Sequence, residues 1–202
     1  MTASARIKEY IASIPEGKPF TTSALRPLAS TDNIRQILNR QVKSGEIKRV
    51  ARGVFLKPKF ILPLGEQSPL ASDVARVIAE STGETIAVHG SEAARQLQLT
   101  TQVPMRTVFY TSGNSRTLKI ANRSIKLQHV NPSKLIAPGT TCGLIISALT
   151  YLKKENVTTK TINIIKERVS PEEFQQTTNM VEHMPAWMAD LFYRVQQEHH
   201  HD

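Results

Sequence analysis

The chain has 202 residues, of which 40% are hydrophobic and 21% charged, and a formal net charge of +9. This length fits one or two globular domains, and the composition excludes a disordered chain and a coiled-coil rod. The longest apolar run, around residues 142–149, is too short to cross a bilayer, and a single cysteine excludes an internal disulfide and a multi-cysteine zinc site.

The first 60 residues have the patterns of three helices and a hairpin. Apolar residues recur at helical spacing, and in the third helix this stripe consists of Ile34, Ile37, Leu38 and Val42. The elements expected in this order are a helix over residues 4–14, a strand at Phe20–Thr22, a helix over residues 23–28, a helix that starts within residues 30–33 and ends before Gly45, and a hairpin of strands 47–50 and 54–56. This is the order of a winged helix-turn-helix, with the third helix as recognition helix and the hairpin as wing.

The polar side chains of this third helix and of the wing are of the kinds that bind DNA. Arginine pairs with guanine, and asparagine or glutamine with adenine, in the major groove. The residues predicted to enter the groove are Asn33, Arg35, Gln36, Asn39 and Arg40, and those predicted to meet the backbone or the minor groove are Lys48, Arg49, Arg52 and Lys57. Residues 1–60 carry twelve basic and four acidic residues, which favours a polyanionic partner. The alternatives are a solvated helix face and a winged helix that binds protein.

Three prolines and a glycine within residues 58–69 predict a linker. We therefore expect a winged helix-turn-helix DNA-binding domain over residues 1–64 and a mixed α/β domain over residues 65–202, an α+β fold overall. The second domain should hold a small antiparallel sheet and C-terminal helices. Its expected elements are helices at 70–82, 91–98, 140–153 and 159–168, from Pro171 and after Pro185, a strand at 85–88, and an antiparallel meander of strands 107–111, 117–121 and 124–130.

One pattern in the second domain resembles a catalytic motif but lacks its carboxylates. Val88–Ser91 has the strand–Gly–Ser order that opens nucleotidyltransferase sites, which also require a pair of acidic residues on the next strand to hold two metal ions. No acidic residue lies between Glu92 and Glu155. We therefore interpret Gly90–Ser91 as a turn in which Ser91 caps a helix.

The remaining residues that bear chemistry stand alone in the sequence. His89 and His129 lack acidic or cysteine companions at ligand spacing, and His199–His201 form a terminal tail. Cys142 lies in an apolar helix and is expected in the core. The sequence thus predicts no catalytic residue, no cofactor and no metal.

Residues 93–154 carry nine basic residues and no acidic residue. Those expected on the meander and its turns are Arg106, Arg116, Lys119, Arg123 and Lys126. A solvated face normally carries both signs of charge. Two uses of this surface stay open: a second contact surface for phosphates, or a docking surface for an acidic protein.

Two stretches of the chain resemble a known family. Ser44–Phe55, with its order of glycine, basic pair, Arg-Gly and aromatic residue, is similar to the end of the winged helix in the AbiEi family of antitoxins. Ala87–Ala94, Leu99–Pro104 and the strand with Tyr110–Ser112 resemble the C-terminal domain of that family. The resemblance covers residues 5–135.

This resemblance implies a bacterial antitoxin of a type IV toxin-antitoxin pair, with a role in phage resistance. The winged helix would bind double-stranded operator DNA upstream of its own operon and repress it. The C-terminal domain would counter a nucleotidyltransferase-like toxin, without a stable complex as the rule. The alternatives are a stand-alone regulator without a toxin and a non-catalytic protein-interaction module with a basic docking surface. With no signal peptide and no membrane-binding helix in view, we expect a cytoplasmic protein.

Overall fold

The computed structural model describes residues 2–120 and 123–198. The described chain is a mixed α+β fold with eight α-helices and three small sheets. The helices are α1 (Ala3–Ser13), α2 (Thr31–Lys43), α3 (Ala71–Thr82), α4 (Gly90–Gln96), α5 (Thr141–Leu152), α6 (Thr159–Arg168), α7 (Pro171–Asn179) and α8 (Ala186–Glu198). The strands are β1 (Pro19–Thr21), β2 (Lys48–Ala51), β3 (Val54–Leu56), β4 (Phe60–Ile61), β5 (Gly65–Glu66), β6 (Ile86–Val88), β7 (Thr107–Thr111), β8 (Arg116–Ile120) and β9 (Arg123–His129).

The contacts divide the chain into two units. The first is formed by Met1–Glu84 with Thr117–Ile125, and the second by Thr85–Arg116 with Lys126–Asp202. By these contacts α3 and the tip of the β8–β9 hairpin belong to the first unit. The domain boundary expected at residues 64–65 stays a prediction. Among the described helices, none has the length and apolar character needed to cross a membrane.

The first unit is built around an antiparallel sheet in the order β1–β3–β2. Phe55 lies at its centre, opposite Phe20 on one side and Arg49 on the other. Helices α1 and α2 pack together, and their apolar faces close the core. The buried members of this core are Ile7, Ile11, Phe20, Leu25, Ile34, Ile37, Leu38, Ile47 and Phe55.

Helix α2 has the predicted place in the chain but a different buried stripe. Ile34, Ile37 and Leu38 are buried, and the fourth buried position is Gln41. Val42 was expected in the stripe, but its side chain is 36% exposed. The reason is helical geometry, since Val42, eight residues after Ile34, lies at the edge of the stripe beyond Leu38, whereas Gln41, seven residues after Ile34, lies near its centre. Gly45 follows the helix with φ +77°, as its predicted capping role requires.

Two further expectations for this unit are wrong. The helix expected over residues 23–28 is a 3₁₀ turn, Thr22–Leu25, because Pro27 has no N–H to continue a helical hydrogen-bond pattern. The linker expected at residues 58–69 contains a hairpin, with Phe60 opposite Glu66 and Ile61 opposite Gly65. A cis peptide bond precedes Pro63 in the turn of this hairpin.

The predicted meander is wrong in its strand order. The four-stranded sheet has the order β6–β7–β9–β8, so β9 lies between β7 and β8. The connection from β7 to β8 passes the end of β9, where the backbone N–H of His129 donates to Ser115 Oγ over 2.8 Å and its ring Nδ1 lies 2.8 Å from the Gly113 carbonyl oxygen. As predicted, Ile125 and Leu127 are buried. The predicted turn residue Asn122 lies outside the described residues, as does the tail His199–His201.

The second unit buries its core among α4, α5, α6, α7 and α8. Gly90 permits a close approach of α4 to α5, since a Cβ there would lie 2.5 Å from the carbonyl oxygen of Ser147. Cys142 is buried in this core, as expected, and burial raises the pKa of its thiol. Helix α7 is capped as predicted by Ser170, whose hydroxyl accepts from the Glu173 N–H while the Glu173 carboxylate accepts from the Ser170 N–H.

Candidate nucleic-acid interface

A polar cleft of about 530 Å³ lies in the first unit, between α2 and the β2–β3 hairpin. Its apolar floor is formed by side chains that also belong to the core, Ile34, Leu38 and Phe55. Its walls carry four arginines together with hydroxyl and amide groups, namely Arg26, Arg35, Arg49, Arg52, Thr22, Thr31 and Asn39. The structure therefore brings four of the predicted DNA-binding residues together: Arg35, Asn39, Arg49 and Arg52.

The helix contributes one face to this cleft. Thr31, Arg35 and Asn39 are spaced four residues apart, so they lie one above the other along α2. All three are exposed, and they flank the buried stripe that holds the helix to the core. The core contacts of Ile34 and Leu38 thus fix the direction in which Arg35 and Asn39 point.

The hairpin contributes the opposite wall. Successive side chains of a strand point to opposite faces, so Lys48 and Arg49 diverge. Arg49 lines the cleft, whereas the Lys48 ammonium lies 2.8 Å from the Glu66 carboxylate. Arg52 stands at the turn, beside Gly53 with φ +72°. The Gly53 carbonyl accepts from the Thr22 N–H over 3.0 Å, which ties the turn to the first elements of the chain.

Sequence reasoning missed Arg26 and the hydroxyl residues Thr22 and Thr31. Arg26 follows the 3₁₀ turn directly and enters the cleft beside the start of α2. A basic residue before Pro27 carries no pattern of its own, so only the fold shows that it faces the hairpin.

The groups that line the cleft suit an anion. Arginine side chains donate hydrogen bonds and accept none, and they keep their charge at any physiological pH. No carboxylate lines the cleft, and within residues 2–120 and 123–198 none lies within ion-pair distance of Arg26, Arg35 or Arg52. Asn39 adds a side chain that both donates and accepts, which suits the edge of a base more than a phosphate.

The other predicted groove residues lie on α2 but outside the cleft. Asn33, Gln36 and Arg40 are exposed. Their spacing of three and four residues places them on the face of the helix beyond Arg35 and Asn39. They extend the polar surface of α2 along its outer side.

Lys57 has a different surrounding from the one predicted. Its ammonium donates to the carbonyl oxygens of Ala12 (3.3 Å) and Ile14 (3.1 Å), at the C-terminal end of α1. A cation there is favourable because the last carbonyls of a helix carry partial negative charge. The structure thus gives Lys57 a stabilising role in the first unit, and we leave it out of the proposed interface, as we do the ion-paired Lys48.

The five basic residues expected on the meander have separate surroundings. Arg106, Lys119, Arg123 and Lys126 are exposed, while Arg116 donates to the Asn114 carbonyl over 3.0 Å. Lys119 and Arg123 belong to the first unit, and the other three belong to the second. Lys126 is close enough to His89 for its charge to affect that imidazole.

The prediction that Ser91 caps the helix after Val88 is wrong, because His89 caps the start of α4. The Nδ1 atom of His89 accepts from the Ser91 N–H over 3.2 Å and lies 2.8 Å from the Ser91 hydroxyl. Burial, assisted by the charge of Lys126, lowers the pKa of His89, which favours the neutral ring whose Nδ1 can accept this hydrogen bond. The described residues hold no group of three or more His, Cys, Asp or Glu side chains arranged for a metal ion.

Comparison with protein families places most of the chain in one family. A protein family of unknown function, DUF6088, matches residues 6–177 of the chain. No curated protein matches the sequence.

Proposed function

The chain belongs to the DUF6088 family, and because the function of that family is unknown we propose one from the residues of this chain: sequence-specific binding of double-stranded DNA. The observation that carries the proposal is the cleft in which Arg35 and Asn39 of α2 face Arg49 and Arg52 of the hairpin. We interpret the elements from α1 to β3, with the 3₁₀ turn Thr22–Leu25 in the place of a second helix, as a winged helix-turn-helix in which α2 is the recognition helix and β2–β3 the wing.

The two walls of the cleft have different tasks in this proposal. Helix α2 enters the major groove, where Arg35 binds guanine and Asn39 binds adenine. Gln36 and Arg40 extend the contacts along the same groove, and Asn33 contacts its edge. Arg49 and Arg52 on the wing bind backbone phosphates, which hold the protein in register without reading sequence.

Resemblance to the AbiEi antitoxins supports a narrower biological role. We propose that the bound DNA is the operator of the protein's own operon, and that the protein represses that operon. The functional partner is then a nucleotidyltransferase-like toxin encoded beside it. This role predicts that the neighbouring gene arrests growth when expressed alone and that co-expression of this chain restores growth. If the neighbouring product is harmless, the protein is a stand-alone regulator.

Fluorescence anisotropy of the full chain tests DNA binding directly. The probes are a duplex from upstream of its own gene and a scrambled duplex of equal length, at several salt concentrations. The wild type should prefer the native duplex. Arg35→Ala or Asn39→Ala should reduce that preference by about 5- to 150-fold, the range for one bidentate base contact of 1–3 kcal/mol.

The wing residues and a control variant separate base reading from charge. Arg49→Gln should weaken both duplexes equally and lower the slope of log K against log salt by about 0.9. Arg6→Ala removes an exposed cation from α1, outside the cleft, and should leave the preference unchanged. Equal binding of both duplexes by the wild type, or the same loss of preference in Arg6→Ala and Arg35→Ala, would refute sequence-specific binding by α2.

A further inference from the structure

A second hollow adjoins the cleft within the first unit. Four residues line both concavities: Thr22, Arg26, Arg52 and Gly53. From these the second hollow, of about 510 Å³, extends to the C-terminal turn of α3 and to β8, where Lys119 and Thr117 line it. The two hollows therefore adjoin at these four residues, at the turn of the β2–β3 hairpin, and the second also carries the apolar side chains of Val54, Ile78 and Leu118.

The groups that line the second hollow suit a phosphate. Arg26, Arg52 and Lys119 are exposed cations, and no carboxylate lines the hollow. Within the described residues, Lys119 makes no ion pair. The hydroxyls of Thr22 and Thr117 add neutral donors beside the three cations. Guanidinium, ammonium and hydroxyl groups together are the donor set of phosphate sites.

The C-terminal end of α3 in this hollow has hydroxyl groups bound to its carbonyl oxygens, so it repels an anion less than bare carbonyl groups would. The last turn of α3 contributes Ser81 and Thr82. Their hydroxyls donate to the carbonyl oxygens of Ile78 and Ala79, at 2.7 Å for Ser81 and 3.1 Å for Thr82. The partial negative charge at this helix end is therefore partly neutralised.

We propose that the second hollow binds a backbone phosphate of the same DNA that occupies the cleft, with Lys119 and Arg26 as its ligands. The inference rests on the proposed function. Continuity through Arg26 and Arg52 favours a nucleic-acid strand over a free anion, because successive phosphates of one strand can occupy both concavities. The hairpin β8–β9 thereby adds to the DNA footprint a contact far in sequence from the recognition helix.

Lys119→Gln and Arg123→Gln form a matched pair for the test. Both remove one exposed cation from the tip of the β8–β9 hairpin, but only Lys119 lines the hollow. The measurement is anisotropy of the full chain with the upstream and scrambled duplexes between 50 and 200 mM salt. Releasing one phosphate contact lowers the salt slope by about 0.9, so the affinity ratio across this fourfold range should fall about 3.5-fold in Lys119→Gln. Arg123→Gln should keep the wild-type ratio, and Arg26→Gln should match Lys119→Gln.

Each result decides the inference. Equal changes in Lys119→Gln and Arg123→Gln would show that only overall charge acts, and would overturn it. An unchanged slope in Lys119→Gln, in a protein whose duplex preference still depends on Arg35, would refute the second hollow and leave the proposed function standing. A wild type that binds neither duplex refutes the proposed function itself. A titration with inorganic phosphate distinguishes DNA from a free anion. If phosphate binds saturably, Lys119→Gln abolishes that binding and the salt slope of DNA binding does not change, the hollow binds a free anion.

Discussion

Replacement of Gly90 by alanine tests how closely α4 approaches α5 in the second unit. Gly90 is buried at the first position of α4. A Cβ atom there would lie 2.4 Å from Tyr151 Cβ and 2.5 Å from the Ser147 carbonyl oxygen. Both atoms are attached directly to the α5 backbone or belong to it, so no change of rotamer removes the overlap. Gly90→Ala must therefore move one helix relative to the other.

The size of the effect follows from these distances. Ordinary contact begins at 3.4 Å, so α4 and α5 must separate locally by about 1.0 Å to clear Tyr151 Cβ. Overpacking of a well-packed core costs about 1–3 kcal/mol. The gain of alanine over glycine in a helix is at most about 1 kcal/mol in a helix interior and offsets little at a first helical position. For a chain of this size each kcal/mol lowers Tm by about 2–4 °C, so we expect a decrease of about 2–12 °C.

Thermal unfolding followed by far-UV circular dichroism measures this decrease. Gln96→Ala is the matched control, because Gln96 is exposed on the same helix and its loss should change Tm by less than about 2 °C. We expect the Tm of Gln96→Ala to equal that of the wild type and the Tm of Gly90→Ala to be clearly lower. A Tm of Gly90→Ala equal to that of the wild type would refute the close approach of α4 to α5.

Two further predictions concern single side chains. Lys57→Met should lower the free energy of unfolding, measured by urea titration, by about 0.3–1 kcal/mol, because it removes a cation from the C-terminal end of α1. It should leave the salt slope of DNA binding, measured by anisotropy, unchanged. A slope lowered by about 0.9 would instead place Lys57 in the DNA interface. The pKa of His89 lies below its unfolded value of 6.5, so the unfolded state binds more protons and stability falls as the pH drops from 6.5 towards the folded pKa. His89→Asn keeps a capping side chain without this titration, so its stability should change less between pH 7.5 and 5.5 in urea titrations; an equal change in both proteins would contradict the assignment to His89.

The elements that the sequence predicts well are those with strong local patterns. Helix α2 has Ile34, Ile37 and Leu38 at helical spacing and a glycine at its end, and the β2–β3 hairpin has a glycine at the turn where φ is positive. The sequence therefore predicts exposed positions on α2 and the hairpin for Arg35, Asn39, Arg49 and Arg52, and all four are exposed. Their convergence on one cleft required the packing of α2 against Phe55, which no local pattern contains.

The errors arise where contacts join distant parts of the chain. Strand β9 lies between β7 and β8, although three consecutive strands with short turns suggested a meander. Three prolines and a glycine at residues 58–69 indicate a linker, yet Pro63 lies in the turn of the β4–β5 hairpin and Gly65 belongs to β5. Arg26 and Lys119, 93 positions apart in the sequence, line one hollow, and nothing in either local sequence predicts the other.

The distribution of charge between the two units favours nucleic acid over an acidic protein as the partner of the hairpin cations. By sequence, Lys119 and Arg123 belong to a basic stretch of the second domain, but by contacts they belong to the first unit. Grouped this way, the first unit has fifteen basic and eight acidic residues, net +7, and the second has eleven and nine, net +2. A docking surface for an acidic protein in the second domain would concentrate the charge there. Instead, the excess positive charge lies in the first unit, which carries α2 and the β2–β3 hairpin. A polyanion long enough to cover both hollows is attracted most strongly by that charge.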